Sequence, residues 1–498
     1  MSGQFVSMKN CEAVFIREVP VSSAQGWRQH LINAVSSGRR ISSMFAMPHG
    51  AELKIISILA DDLAGKFEVS SCVTPGSIES VTPSVPQAHM FEREMAEQYG
   101  LNVEGHPWLK PVRFHSPHNA TAAKAPSIGV ADFYKIEGEQ VHEVAVGPVH
   151  AGVIEPGHFR FQCHGENVFH LEISLGYQHR GVEKALIGGP DKLSLNRMET
   201  AAGDTTIGHA TAYCQILESL GEIHISDSVQ RVRAVALEIE RLANHAGDLG
   251  MLAQDVGYLP TSSFCGRLRG DLLNLSQEIC GNRLGRGLLI PGGTRFGIDN
   301  EMAEGIRRKL LAAMKDLAGA CGLLWGKPSV LARFENTGVI TKEDCVNLGV
   351  VGPAARAAGV GIDVRSDFPF GEYTVTRMKK SLWKTGDVMG RARVRWREIE
   401  NSVEFIISLL GFGSAVDASA KAPKPRGGMI AVSMVEGWRG EICHTAVTND
   451  DGTFSRYKIV DPSFHNWTAL AMSLRGEGIS DFPICNKSFN LSYCGFDL

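Results

Sequence analysis

The chain has 498 residues, 50 Lys and Arg against 54 Asp and Glu, and a formal net charge of −4. That balance offers no broad cationic field, which argues against a nucleic-acid protein held by phosphate contacts. Hydrophobic residues at 44% and charged residues at 21% exclude wholesale disorder. At ~150 residues per domain the length predicts about three units or two larger ones.

No apolar run reaches the ~18 residues of a bilayer span. The longest candidate, 405–416, reads as a buried helix end. The N-terminus, MSGQFVSMKNCEAVF, lacks the charged-then-apolar order of a signal peptide. Any membrane contact is therefore expected through partners. The 11 cysteines are odd in number and scattered, and no C-x-x-C occurs, so neither a disulfide framework nor a local metal-ligand pair is expected. Buried free thiols are the expectation.

Residues 1–115 predict a small α+β unit. Within it 52–62 (ELKIISILADD) has the composition of a buried strand, 81–90 reads as a loop, and 91–99 has helical spacing closed by Gly100. The stretch HSPHNATAAKAPS marks a linker, set at 116–127, with a second unit over 128–498. That unit opens with strands over 141–150, 157–163 and 167–174, where apolar and polar residues alternate.

From about 192 the pattern is helical. Asp227 with Gln230 and Thr341 with Asp344 have the spacing of capping pairs, and Asp299 opens a helix. A long helix is expected over 387–410. After a loop at 415–426, strands are expected over 429–435, 444–447 and 454–460, with Asn449-Asp450-Asp451-Gly452 as a turn. The fold class expected is an α+β N-terminal domain followed by a mostly α-helical body with small β-sheet decorations.

Two sets of motifs carry a resemblance. Phe91-Glu92-Arg93-Glu94, Tyr99-Gly100-Leu101 and Gly105-His106-Pro107-Trp108-Leu109 resemble the small hydrophilic subunit of respiratory complex I. Val146–His150, Glu155–Phe159, Gln178–Lys184, Leu237–His245, Pro291–Gly293, Arg356–Arg365 and Pro425–Gly427 run in order over 141–498. They resemble the large subunits of membrane-bound nickel–iron hydrogenases and their complex I homologue, the quinone-site subunit. The two in this fused order look like the large subunit of formate hydrogenlyase.

The resemblance implies a hydrogenase-large-subunit body and also marks a departure. In the hydrogenases two C-x-x-C pairs give the metals four thiolates, and soft thiolates suit nickel and iron. Aligning Glu199 and His209 puts Ala202 and Thr205 at the first pair, and SFNLSYCGFDL puts Ser492 and Gly495 at the second, with Cys494 one residue off. The chain ends at Leu498 without the extension that hydrogenase maturation removes. No metal ligands are expected. The Tyr and His that hold a quinone in complex I also lack counterparts, the Tyr falling at about Gly203.

What remains in the vacated pocket is polar. Glu183, Asp204 and His209 are expected to form a proton relay, because His titrates near neutral pH and a buried carboxylate there would have a raised pKa. Capping by Asp204 or Thr205, and a salt bridge from Glu183 to Arg180 or Lys184, are the plainer alternatives. His150, Thr205, Asp363, Arg365, Ser492 and Cys494 are expected to line the pocket. Asp363 and Arg365 are expected to pair, and His158 and His179 to donate to backbone carbonyls. GNRLGRG at 281–287 lacks the strand-and-helix context of a nucleotide loop.

By resemblance, the chain is an oxidoreductase-complex subunit, inactive in isolation, on the cytoplasmic face of the membrane. Its expected partners are an iron–sulfur small subunit, a ferredoxin-like subunit, and complex I-like anchor and antiporter-like subunits. No cofactor is expected on this chain itself, an iron–sulfur cluster is expected next to it in the partner, and a quinone is an open alternative. Electron transport, quinone binding and NAD binding are implied at the level of the complex. A non-catalytic scaffold is the competing reading.

Overall fold

The computed structural model describes residues 4–118, 126–150, 154–411 and 423–498. Most of the expected linker and the first part of the 415–426 loop lie outside the described residues. The expected fold class is the observed one: a sheet-rich N-terminal region and a helical body.

The N-terminal sheet runs Val6–Lys9, Lys66–Thr74, Glu52–Asp61 and Arg40–His49, all antiparallel, with Val21–Ser22 added in parallel to Lys66–Thr74. Ile55, Ile56, Ile58 and Leu59 are fully buried on it, as their near-continuous apolar run predicts. Helix Ala24–Ser36 packs against its strands, and helix His89–Tyr99 packs on Arg40–His49. The latter ends at Gly100 with φ 67°, where glycine takes the left-handed turn without strain.

The first unit does not stand apart from the second. Strand Glu12–Phe15 leaves the N-terminal sheet and pairs with Met429–Gly437, forming the edge of a four-stranded sheet with Gly440–Thr448 and Phe454–Val460. One hydrophobic core runs from Met8 to Phe496, through both units.

The helical body centres on Asp227–Asp255, which packs against Leu259–Cys280 and Val388–Leu409. Asp299, Thr341 and Asp387 cap their helices through Met302, Asp344 and Gly390 amides at 2.8, 3.0 and 2.7 Å. Asp227 does not cap: Ser226 holds the N-cap position and Asp227 is the first helical residue, favourable there through the helix dipole. No helix among the described residues is long and apolar enough to cross a membrane.

Candidate functional site

The site forms where a hairpin tip meets two loops from opposite ends of the body. Met429–Gly437 and Gly440–Thr448 are joined by Trp438 and Arg439 alone. Gly440 has φ 133°, and an added Cβ there would lie 2.8 Å from Gly352 Cα, so glycine is needed for the tip to seat on helix Gly352–Ala357. Arg241 holds the hairpin from behind, donating to Gly437 O at 2.8 Å and Glu436 O at 2.6 Å.

Arg439 then joins the two loops. Its guanidinium stacks on Trp438 at 3.8 Å and grips Asp204 at 2.5 and 2.9 Å. It reaches Thr205 Oγ1 at 3.3 Å and donates to Asn490 O on the other loop. A bidentate, charge-assisted pair in a fixed fork is the strong form of such contacts. Beside it, a cleft of ≈ 340 Å³ opens between Asp204, Asn244, Asp248, Gln254, Arg269 and Asn490. The ligand-position segments around 202–205 and 492–495 are thus neighbours, linked through one side chain.

Asp204 and His209 do not meet. Asp204 belongs to Arg439, whereas His209, fully buried on helix Thr206–Leu220, donates through Nε2 to Asp461 at 3.0 Å. His209 Nδ1 lies 3.1 Å from His444 Nε2, and His444 Nδ1 lies 2.9 Å from the Tyr457 hydroxyl. His444, Tyr457 and Asp461 are as buried as His209. Burial pushes Asp461 up, but His209 and Arg439 overcome it and hold the carboxyl below its usual range. Burial, with His209 beside it, keeps His444 well below the ordinary imidazole value, so it is neutral at physiological pH.

An ionised Asp461 only accepts, so His209 Nε2 carries a hydrogen. When His209 is neutral, its Nδ1 accepts from His444 Nε2–H, and His444 Nδ1 accepts from Tyr457 O–H. When His209 is protonated, Nδ1–H donates to His444 and the chain reverses toward Tyr457. Asp461 sits directly against Gly495: a Cβ there would lie 2.7 Å from Asp461 Cγ.

Glu183 is in a different cluster, and its expected raised pKa is reversed. It accepts from Arg456 at 2.8 Å, Lys458 at 2.9 Å and Ile459 N at 3.0 Å, not from Arg180 or Lys184. Burial pushes it up; Lys458, Arg456 and Arg113 overcome this and hold it far below the ordinary range. Glu94 bridges Lys458, at 2.7 Å, to Arg113. Glu183 is a fixed anion in an ionic core.

Among the expected lining residues, Ser492 caps helix Tyr493–Asp497, its Oγ accepting from Gly495 N at 2.9 Å. Cys494 Sγ lies 3.4 Å from that Oγ, and burial pushes its thiol up to about 11. Ala202 is fully buried. His150 meets Gly157 O at 2.9 Å, and His158 and His179 likewise face the carbonyls of Gly147 at 3.3 Å and Asp497 at 2.7 Å. Asp363 and Arg365 do pair, at 2.7 and 2.9 Å, but behind the hairpin, with Glu238, Glu398 and Arg356 rather than in the site.

Neither Asp204 nor Thr205 caps helix Thr206–Leu220 through its side chain. Glu240, from the neighbouring long helix, accepts from Ile207 N at 2.7 Å and Gly208 N at 3.2 Å instead. Burial pushes Glu240 up to about 8, against the pull of those two amides. Between its ordinary 4.5 and 8 the folded chain therefore keeps a proton that the unfolded chain has lost. This group's contribution to stability falls as pH rises through that window. Glu240→Gln, which keeps the accepting oxygen, should remove that slope: its denaturant midpoint should gain on the wild type at pH ~8 and not at pH ~5. An unchanged difference at both pH values would contradict the assignment.

Sequence reasoning missed Arg439, Trp438, Asp461, His444, Tyr457 and Glu240. The one available signal was Gly437-Trp438-Arg439-Gly440, a two-residue link between glycines at a strand junction.

Residues 40–121 match the family described as the respiratory-chain NADH dehydrogenase 30 Kd subunit, and 255–411 the 49 Kd subunit. The carbon monoxide-induced hydrogenase of Rhodospirillum rubrum is 30% identical over 356 residues, covering 70% of this chain and 97% of that protein. The chain belongs to this family. The formate hydrogenlyase subunit 5 of Escherichia coli K12 is 28% identical, over 83% of this chain and 76% of that one. A chain from the archaeal membrane-bound sulfane sulfur reductase, a respiratory membrane complex, shares the fold with a TM-score of 0.67 at 23% identity. It spans 73% of this chain and all of that one (100%). The two family matches follow one another along the one chain, the 30 Kd kind first and the 49 Kd kind second. Among the described residues no group of three or more His, Cys, Asp or Glu side chains is arranged to hold a metal ion.

Proposed function

We propose that this chain is the large redox-module subunit of a membrane-bound complex of the hydrogenase and NADH–quinone oxidoreductase kind, working without a nickel–iron centre of its own. It sits peripherally on the cytoplasmic face, on an iron–sulfur small subunit, with ferredoxin-like, anchor and antiporter-like subunits around it. The observation that carries the reading is the hydrogen-bonded chain Tyr457–His444–His209–Asp461, which ends against one vacated ligand position.

The residues present do not suit the metal pair. Ala202 and Gly495 offer no donor atom, and a side chain at 495 would collide with Asp461. The Ser492 hydroxyl is committed to its helix, and Cys494 alone offers one soft donor where such a centre takes four. What suits the place is charge and proton handling. An electron reaching a partner cluster adds negative charge near Asp204, which faces the cleft, and its buried partner Arg439. Proton uptake at His209 compensates that charge and reverses the chain toward Tyr457. The reversal passes the charge change to the sheet that carries His444 and Tyr457. A membrane arm that reads it would couple electron transfer to ion movement.

The second reading is a scaffold. It is favoured by Arg439, whose side chain fills the space between the two loops and is only 4% exposed. Anaerobic affinity purification from solubilised native membranes, with mass spectrometry of all subunits, tests the assembly. An iron–sulfur small subunit and antiporter-like subunits are expected. A chain recovered without any iron–sulfur protein would contradict both readings.

A further inference from the structure

A second cavity lies far from these residues in function and chemistry, between the two units. Helix His89–Tyr99 and the segment after Trp108 form one side, and strand Asn167–Ser174 with helix Pro462–Ser473 the other. Its volume is ≈ 130 Å³. An apolar cavity of about 150 Å³ takes up benzene, so this slightly smaller, open one holds at most one aromatic ring or a short alkyl chain, with a charged group left at its mouth. The inner wall is apolar: Phe464, Phe496, Leu171 and Met472 contribute to it.

The lining is also cationic. Arg93, Lys110 and Arg475 face it against the single carboxylate Glu172. Lys110 takes that carboxylate at 2.7 Å. Arg93 donates only to the carbonyls of Lys110 and Pro111, at 2.9 and 3.0 Å, and approaches Met90 Sδ. Among the described residues no carboxylate lies within ion-pair distance of Arg93 or of Arg475, which is exposed at the rim. Burial pulls the Arg93 guanidinium down to about 10, against the opposing pull of Glu172 and Glu97, neither of which reaches ion-pair contact with it.

Two further polar atoms of the lining have no partner. Trp467 is 4% exposed and its indole N–H makes no hydrogen bond; the His170 Nε2 is also buried and unpaired. Buried polar groups are nearly always satisfied, and an unsatisfied donor costs about 1–3 kcal/mol. A cavity with apolar walls, an unpaired indole N–H and two guanidiniums without an ion-pair partner has the chemistry of a site for a small anion with an apolar body.

We propose that this inter-unit cavity binds a small aromatic or short-chain aliphatic monocarboxylate, its acid group toward Arg475 at the rim and its apolar body against Phe464 and Phe496. Occupancy would fasten the N-terminal unit to helix Pro462–Ser473, the helix whose N-cap is Asp461. The ligand site is independent of the electron-transfer reading above.

Calorimetric titration of the full-length chain with benzoate tests this, with benzyl alcohol as the uncharged control. Benzoate should bind with Kd of about 0.1–1 mM, within reach for a ligand of this size. Benzyl alcohol should bind at least about tenfold more weakly. Ala471→Phe, which fills the cavity, should abolish benzoate binding. Arg475→Glu, a surface change that leaves the packing intact, should weaken it several-fold and keeps the test decisive if the first variant fails to fold. No benzoate binding up to about 20 mM, equal affinity for benzyl alcohol, or undiminished binding by Arg475→Glu would overturn the proposal.

Discussion

Replacing Arg356 by Met is expected to destabilise the helical body by about 3–5 kcal/mol, the usual consequence of stranding buried charge. Arg356 is fully buried and binds Glu398 at 2.6 and 3.0 Å, Glu436 at 2.8 Å and the Ile362 carbonyl at 2.8 Å. Its neighbours form one network: Glu238, Asp363, Glu398 and Glu436 against Arg241, Arg356 and Arg365, with His245 on Glu398 at 2.9 Å. Four carboxyls thus face three guanidiniums and one imidazole. Burial, set against Arg356, pushes Glu436 up to about 7, so this carboxyl is where the missing positive charge is made good by a proton.

Removing Arg356 takes away a third of the guanidinium charge and leaves the acids without water. The denaturant midpoint of the full chain reports the loss. Arg356→Met combined with Glu398→Gln, which removes the ionised carboxylate that Arg356 grips through two nitrogens, should recover part of it, since removing both members of a pair costs less than removing one. A single variant as stable as the wild type would show that the network is not held together by Arg356.

Asp461→Asn is expected to slow turnover of the intact complex by about a hundredfold or more, the scale of a lost acid–base step. The fold should tolerate it. Asp461 Oδ1 accepts from Ser463 N at 2.8 Å to cap helix Pro462–Ser473, and the amide oxygen of Asn can do the same. The amide nitrogen, however, cannot accept from His209 Nε2–H and no longer compensates a protonated His209. The pH profile should therefore change as well as the rate, which separates a proton-handling role from a packing role. Unchanged turnover and an unchanged profile, with normal assembly, would favour the scaffold reading.

The scaffold of the molecule was legible where local chemistry decides. Asp299, Thr341 and Asp387 announce helix starts because a side-chain oxygen at that place satisfies an amide within its own turn. The strand at 52–61 announces itself by composition. The helix Leu259–Cys280 was harder to see, because Pro260, Gly266 and Gly270 dilute its apolar stripe and only packing on Asp227–Asp255 rescues it. The pairing of Glu12–Phe15 with Met429–Gly437 is a contact between distant stretches that no short-range pattern encodes.

The site divides in the same way. Motif order brought the reading to Asp204 and His209, and nearness in sequence suggested that they act together. Their partners come from far along the chain: Arg439 meets Asp204 from the hairpin that packs on helix Thr206–Leu220, and Asp461 meets His209 from the start of helix Pro462–Ser473. Glu183 shows the opposite failure. Burial alone would raise its pKa, and two cations on the strand Phe454–Val460, invisible to any local reading, reverse the sign.

Elemental analysis of the anaerobically purified complex shows whether this chain works without a nickel–iron centre. Iron from the partner's clusters with essentially no nickel, in a preparation that turns over electrons, is the predicted result. Stoichiometric nickel bound to this chain would contradict it, because Ala202, Thr205, Ser492 and Gly495 would then have to hold a metal for which they provide no thiolate.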